Sequence, residues 1–283
     1  MPVSARVLVF GCLLVAMTGC AATRASGRPG APEPASPITD QFALRAGYYL
    51  GSARTAGRVD DSKTNSIGTP FSLENDFHLS PHAHQARVEM MFRMRDRSRL
   101  RVDMWELNRN GVASPTGSIT YGGNTFTPAD TVQSRFDWRQ MDFTYTYSIL
   151  QTRRVELGLG LGVHLLQAEA EAQVAAGAGR PTAVHEDFSG ADPFATLALD
   201  GSWRFTRRFA FSARGQYLRL HVSSITAALS DYHADVQFRW RPNLAVGLGY
   251  QNTQTRLEVQ NSANSGYLRL DLKGPELFLR ASF

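Results

Sequence analysis

The sequence predicts an all-β protein, an antiparallel up-and-down transmembrane β-barrel of about ten strands. Three observations support this fold class: apolar residues alternate with small or polar ones along many segments, each segment is long enough to cross a bilayer as a tilted strand, and the connections alternate between short and long. The clearest segment is residues 155–165, where every odd position is Val or Leu and every even position is Gly, Glu or His. Alternate residues of a strand point to opposite faces, so one face of this segment is entirely apolar.

Composition narrows the classes to which the chain can belong. Its 283 residues are 43% hydrophobic, with a mean hydropathy of −0.25. Beyond the N-terminus no window reaches the roughly 18–20 apolar residues of a spanning helix, which excludes a helical membrane protein. The formal charge of +5 comes from basic residues scattered along the chain, so we expect no nucleic-acid partner.

Residues 1–20 have the order of an export signal: a basic residue, an apolar run over 7–17, and then small residues. The segment ends in Met-Thr-Gly-Cys at Cys20, which resembles the lipobox of bacterial lipoproteins and implies that Cys20 is acylated. Ordinary signal cleavage immediately after it is the alternative. Residues 21–40, rich in Ala, Pro, Gly and Ser, are predicted to be a flexible periplasmic linker with nothing to bury, and residues 41–283 to be the barrel.

Ten segments of the barrel region carry a continuous apolar face. Read at every second residue, these faces lie in 42–50, 88–94, 100–104, 141–147, 155–165, 197–205, 209–217, 232–240, 244–250 and 277–283. None of the outward positions is charged, as expected where a charge at mid-depth in lipid costs ~2–4 kcal/mol.

Connections between the segments alternate in length. The short ones are 95–99, 150–154, 206–208 and 241–243, and the long ones are 109–131, 167–191, 222–227 and 259–266. Short turns at one rim and long loops at the other are typical of outer-membrane barrels, with both termini on the short-turn side.

Two segments change the phase of the alternation. Phe136 and Trp138 occupy even positions, whereas the apolar residues from 141 onward are odd. Leu residues at 268–272 are even, and those from 277 onward are odd. A bulge in each strand, in the second case at Gly274-Pro275, would restore one lipid-facing side. A turn at Gly274-Pro275 is the alternative, although it leaves the last strand too short to span.

Aromatic residues are predicted to form the two interfacial girdles of the barrel. Near the short turns they are Trp203, Phe205, Phe209 and Trp240, and near the long loops they are Trp138, Tyr217, Tyr232 and Tyr250.

The chain ends in Leu277, Leu279, Ala281 and Phe283 at every second residue. This ending resembles the C-terminal signal of bacterial outer-membrane proteins, in which a terminal Phe engages the barrel assembly machinery. The resemblance implies an integral protein of the outer membrane, with the assembly machinery and outer-membrane lipids as partners.

The positions that alternate with the lipid-facing ones carry both signs of charge. They are Arg45, Arg87, Glu89, Arg93, Arg101, Asp103, Asp142, Glu156, Asp200, Arg204, Arg214, Asp235, Arg239 and Arg280. Because buried charges must be paired, we expect an ion-pair network that plugs the lumen. A water-filled pore lined by solvated charges is the alternative.

Four histidines are candidates for chemistry. His82 and His84 share one face of a strand near acidic residues, as a metal clip would, but polar residues at a water-facing rim explain them as well, and we expect neither metal nor cofactor. His164 and His233 are predicted to point into the upper lumen. With Ser223 or Ser224, or with an Asp, they would resemble the lipid A deacylases or the omptin proteases. Neither family's motif is present, so no catalytic residue is assigned.

Each short turn carries arginine. The five that we expect to lie among phospholipid headgroups of the inner leaflet, and that we name the arginine collar, are Arg153, Arg154, Arg207, Arg208 and Arg241.

The sequence therefore predicts an outer-membrane barrel with a structural or surface-interaction role and a mostly plugged lumen. A narrow channel for small solutes and a membrane-embedded hydrolase at the extracellular rim are the alternatives. No residue pattern identifies an external ligand.

Overall fold

The structure of the chain is a computed structural model, which describes residues 36–60, 67–121, 124–174, 183–187, 194–222, 225–260 and 265–283. The predicted export signal, Cys20 and most of the predicted linker lie outside these ranges, as do Ser223 and Ser224.

Within the described residues the chain forms fourteen strands. In chain order they are β1 (Phe42–Val59), β2 (Phe71–Ser72), β3 (His82–Arg95), β4 (Ser98–Ala113), β5 (Ile119–Tyr121), β6 (Asn124–Phe126), β7 (Val132–Gln151), β8 (Val155–Val174), β9 (Ala183–Asp187), β10 (Phe194–Trp203), β11 (Phe209–Val222), β12 (Ile225–Arg241), β13 (Leu244–Gln260) and β14 (Ser265–Ser282).

Ten of these strands close into an antiparallel ring, which confirms the predicted fold class. Their order is β10–β11–β12–β13–β14–β1–β3–β4–β7–β8, and β8 pairs back onto β10. The first and last strands pair from Ala43 opposite Ser282 to Val59 opposite Gly266. β2 and β9 add to β1 and β8, while β5 and β6 form a separate hairpin. The described residues include no helix long and apolar enough to cross a membrane.

The four predicted short turns lie together at one end of the ring, the short-turn end, and the other connections lie at the long-loop end. Two of the predicted long loops are shorter than expected. β11 and β12 extend to Val222 and Ile225, and β13 and β14 extend to Gln260 and Ser265. Strand pairing therefore continues well beyond the lipid-facing segments.

Only the half of the barrel next to the short turns has an apolar exterior. On β8 the exposed Leu157, Leu159, Leu161, Val163 and Leu165 form this belt, and beyond it polar residues face outward. A tilted strand needs roughly 9–11 residues to span a bilayer, which matches the belt, whereas β7 and β8 have 20 residues each. The remainder of each long strand therefore stands above the membrane.

The side chains exchange faces at the edge of the belt. In the short-turn half the apolar residues point outward and the polar ones inward. In the long-loop half Phe136, Trp138 and Leu270 point inward with 0–1% of their surface exposed, while Arg139 and Glu106 are exposed outside. Side chains continue to alternate without a break at this edge. What changes is their surroundings: lipid outside and polar groups inside give way to water outside and an apolar core inside.

This exchange corrects the two predicted bulges. β7 pairs with β4 in one register from Val132 to Tyr147, so no residue is inserted between Trp138 and residue 141. β14 likewise pairs with β13 in one register past Gly274-Pro275, so neither a bulge nor a turn occurs there. Gly274 instead permits close contact with the next strand, because a Cβ at this position would lie 2.4 Å from the Gly51 Cα. Trp138 is also not a girdle residue, since it stacks on Trp105 inside the barrel with the ring centroids 6.4 Å apart.

The long-loop half is filled by an apolar core. Phe71, Leu73, Phe77 and Leu79, which follow β1, fold inward and are buried. The interior residues that form this core with them include Trp105, Leu107, Ile119, Phe126, Phe136, Trp138, Leu268, Leu270 and Leu272. Arg109 fixes the inserted segment by donating hydrogen bonds to Thr55 Oγ1 (2.9 Å) and to the Ser80 carbonyl (3.0 Å). The core therefore closes this end of the lumen.

Candidate functional site: the barrel lumen

The short-turn end of the lumen contains the segment that precedes β1. Ser36, Ile38 and Asp40 are all buried. The Asp40 carboxylate accepts hydrogen bonds from Arg239 Nη2 (2.9 Å) and Arg280 Nη2 (3.2 Å). This segment was expected to belong to a linker with nothing to bury, and it is instead packed into the mouth of the barrel. The sequence feature that could have predicted this packing is an acid just before the first strand, in a chain with many inward arginines.

Above this segment lies a group of ion pairs around Glu156. Its fully buried carboxylate accepts from Arg93 Nη1 (2.8 Å) and Nη2 (3.0 Å), and Arg99 Nη1 lies 3.4 Å away. Arg99 also donates to Asp200 Oδ1 (2.8 Å), and Ser148 Oγ donates to Glu156 Oε1 (2.5 Å). The sequence placed Arg99 in a short turn, but it lies one residue into β4 and points inward.

A second group surrounds Arg45. Its guanidinium donates to Asp235 Oδ2 (2.9 Å) and Glu276 Oε2 (2.7 Å), and its carbon lies 3.5 Å from the centre of the Phe278 ring. His233 Nε2 contacts the same Glu276 oxygen at 3.0 Å. Glu276 was missed in the sequence because the lipid-facing segment recognised there begins at Leu277, one residue after it.

A third group crosses the lumen from β3 and β4 to β11 on the opposite side of the ring. Arg87 pairs with Asp103, and Arg214 pairs with Glu89. Arg101 bridges two groups, with its Nε 3.3 Å from Glu89 and its Nη2 3.4 Å from Asp200.

Arg87 also contacts Gln251, which links this group to β13. The Gln251 amide donates to Asp231 Oδ1 at 3.0 Å, and Thr253 donates to the same oxygen at 2.7 Å. Asp231 was not predicted, because it lies one step beyond the alternation recognised in β12.

His164 forms a polar cluster below the apolar core. Its Nδ1 lies 2.5 Å from Asp142 Oδ1, while its Nε2 lies 3.1 Å from Thr196 Oγ1 and 2.7 Å from Gln216 Oε1. A carboxylate, an imidazole and a hydroxyl in this order could activate the hydroxyl as a nucleophile. His164 and Thr196 are, however, each only 1% exposed.

The remaining predicted residues lie in turns or on the outer face of the barrel. Arg204 is half-buried in the turn after β10, and the arginine collar is exposed at the short-turn end. His82 and His84 point outward on β3, with their rings 6.3 Å apart. Glu74, one of the acidic residues near these histidines in the sequence, contacts Thr55 and Arg109 and not the imidazoles. In the described part of the chain no group of three His, Cys, Asp or Glu side chains is arranged to hold a metal.

Little space is left between these groups. A cavity of about 30 Å³ lies between Pro37, Arg45, Arg99 and Arg214. A buried water needs roughly 10–15 Å³ by this measure, so the cavity holds about two waters. The charged side chains that line this cavity therefore lie mainly against one another.

The surface of the barrel indicates where the protein is located in the cell. A closed ring of ten antiparallel strands, an uncharged outward belt, and exposed Trp203, Trp240, Tyr217 and Tyr250 at its two edges make the chain an integral β-barrel of the bacterial outer membrane.

No protein-family model matches the chain, and no curated protein matches it. Among solved structures it is similar to the outer membrane protease OmpT of Escherichia coli, with 11% identity over 87% of this chain and 98% of that chain, and a TM-score of 0.49. It is also similar to the Pseudomonas putida toluene transporter TodX (11% identity, 89% and 93% covered, TM-score 0.34). The attachment invasion locus protein Ail of Yersinia pestis is a further match (9% identity, 84% and 98% covered, TM-score 0.30). Because these values are low, the function argued below depends on the chain's own residues.

Proposed function

We propose that this protein is a surface-exposed barrel with a filled lumen, whose role is structural or interactive rather than transport. The observation that carries the proposal is that buried side chains lie in the lumen at both ends and in the middle. Residues 36–40 fill the short-turn end, ion pairs fill the middle, and the apolar core fills the long-loop end.

The pairing of the inward charges supports a closed lumen over a channel. A conducting pore keeps its charged side chains hydrated, whereas Glu156 and Asp40 have no exposed side-chain surface and lie against arginines. Separating such a pair without replacing it costs ~3–5 kcal/mol. Opening a path would break several pairs at once.

Burial of the histidines argues against a hydrolase in the same lumen. The hydroxyl that contacts His164 belongs to the inaccessible Thr196. His233 is held between Arg45 and Glu276. Neither imidazole faces the rim at which a lipid or peptide substrate would arrive.

The test is planar-bilayer conductance of the full-length protein. We expect no steady conductance beyond brief, small openings, and no passage of small sugars in liposome-swelling assays. A large, steady conductance would mean that the protein is a channel.

Orientation and assembly belong to the same proposal. Both termini and the short turns face the periplasm, an acylated Cys20 tethers the chain, and the exposed Phe283 engages the barrel assembly machinery. An epitope inserted at Gly117 should be detected by antibody on intact cells, whereas one inserted at Arg207 should be detected only after permeabilisation. The opposite pattern would invert the orientation.

A further inference from the structure

Basic side chains are unevenly distributed around the outside of the long-loop half. On β1, β11, β13 and β14 the outward positions beyond the belt include Arg54, Arg219, Arg256, Arg269 and Lys273, against the acids Glu258 and Asp271. On β4, β7 and β8 they include Glu106, Glu169 and Glu171, against Arg135 and Arg139. One wall of the barrel is therefore cationic just above the membrane, and the opposite wall is not.

The strand register assembles part of the cationic wall into a row. Arg219 lies opposite Ala228, Ala228 opposite Arg256, and Arg256 opposite Arg269. Two arginines directly opposite each other on one face of a sheet repel and would destabilise the strand pair. The row is therefore suited to an anion that bridges the two guanidinium groups.

Each arginine of this pair has a carboxylate on its own strand. Arg256 Nη2 lies 3.2 Å from Glu258, and Arg269 Nη2 lies 2.8 Å from Asp271. These contacts leave 58% of the Arg256 side chain and 55% of the Arg269 side chain exposed. Since Arg presents five donors and each carboxylate occupies few of them, further donors remain for a ligand.

A groove of about 210 Å³ runs beside the two arginines. Ala228 and Ser230 lie along it, so small side chains leave the space open, and Tyr217 and Gln254 add polar groups. The Asp271 carboxylate, which pairs with Arg269, also lines the groove. Hydroxyl, amide and guanidinium donors therefore lie together with one acid on one concave part of the wall.

The depth of the groove identifies the kind of ligand. Tyr217, Tyr232 and Tyr250 are exposed at the edge of the belt, where aromatic rings mark the membrane–water interface. A span of roughly 9–11 residues counted from Leu244 ends at 252–254 on β13, so Arg256 is the first or second outward position above the hydrocarbon, at the level of lipid headgroups. In the outer leaflet of this membrane the anionic headgroups are the phosphates of a glycolipid, and Arg binds phosphate in a bidentate manner.

We propose that Arg256 and Arg269 form a binding site for a phosphate group of lipid A in the outer leaflet. The site is separate from the arginine collar, which lies at the opposite membrane surface. It depends on the orientation given under the proposed function but not on whether the lumen conducts.

The test is native mass spectrometry of the full-length protein in detergent, titrated with bisphosphorylated lipid A and with the same lipid after dephosphorylation. The double variant R256Q/R269Q should bind the phosphorylated lipid about 10- to 30-fold more weakly, given what two basic residues contribute near an anionic surface. The matched control is R135Q/R139Q, two outward arginines of β7 that also have carboxylate partners. Its affinity should be unchanged.

Three results would overturn the site: no binding to the unmodified protein, equal binding after removal of the phosphates, or equal loss in both double variants. Folding of each variant is checked by its heat-dependent mobility in gels, and R269Q alone replaces the double variant if that does not fold. Because conductance is measured separately, loss of lipid binding with a closed lumen would reject this site and leave the proposed function standing.

Discussion

Asp40 and Arg239 are 199 residues apart in the chain and are joined by a 2.9 Å hydrogen bond inside the short-turn end of the barrel. Arg280 shares the same carboxylate at 3.2 Å, so one acid ties two strands of the wall to the segment that enters the lumen. The contact holds residues 36–40 in place. Replacing one carboxylate oxygen of Asp40 by an amide nitrogen would weaken it.

The substitution D40N should release this segment. Asparagine keeps the shape but loses the charge, leaving Arg239 and Arg280 without their buried counter-ion, at a cost of about 3 kcal/mol in the free energy of unfolding. We expect a lower unfolding temperature and more frequent openings in planar bilayers. D96N, in an exposed turn at the same end, should change neither. Equal behaviour of the two variants would show that Asp40 does not hold the plug.

The substitution E156Q tests the ion pairs in the middle of the lumen. Glu156 is fully buried and neutralises Arg93 and Arg99, so its loss should lower the free energy of unfolding by ~3–5 kcal/mol. The matched control E106Q removes an exposed partner of Arg139 and should cost no more than ~1 kcal/mol. Urea unfolding of protein folded into vesicles, followed by tryptophan fluorescence, measures both. Similar small losses would mean that water already screens the Glu156 pairs.

The substitution W138A tests the apolar core of the long-loop half. Removing a fully buried Trp should cost ~3–5 kcal/mol, confined to that half. We expect faster hydrogen exchange and faster proteolysis within residues 71–79, with the membrane belt still protected. W203A, at a lipid-facing position where lipid fills the space, should leave residues 71–79 protected. Unchanged proteolysis in W138A would place the closure of this end elsewhere.

The arginine collar can be tested by changing all five arginines to Gln. Each basic residue near an anionic surface contributes ~1 kcal/mol, falling off within a Debye length of about 8–10 Å. The variant should therefore retain less anionic phospholipid through purification and unfold at a lower temperature in anionic vesicles, but hardly change in zwitterionic ones. Equal loss in both lipids would point to turn geometry instead.

The sequence predicted the membrane half of the barrel well and the other half poorly. Alternation plus the absence of charge identifies a lipid-facing strand, so the outward faces from residue 155 to 165 and from 277 to 283 were assigned correctly. Beyond the membrane the same alternation continues, but polar residues face water outside and apolar residues face the core inside. Apolar Trp138 and Leu270 there point into the interior. If every apolar residue is assumed to face lipid, this reversal looks like a bulge.

The lumen was predictable in composition but not in pairing. Alternation assigns Arg45 and Glu156 to the inner face, because it needs only local periodicity. Partners such as Arg99 for Asp200, or Asp40 for Arg239, depend on which wall lies opposite and on a segment outside any strand. Such contacts are fixed by the closure of the ring, which local sequence does not encode.

The charged exterior of the long-loop half limits how this barrel enters the membrane. β13 and β14 form a hairpin whose distal part carries Arg256, Glu258, Arg269 and Asp271 on the side that faces away from the lumen. Each such charge would cost ~2–4 kcal/mol at mid-depth in lipid. The hairpin therefore cannot slide through hydrocarbon as a finished pair of strands. We therefore expect its distal part to cross the membrane along a route shielded from lipid.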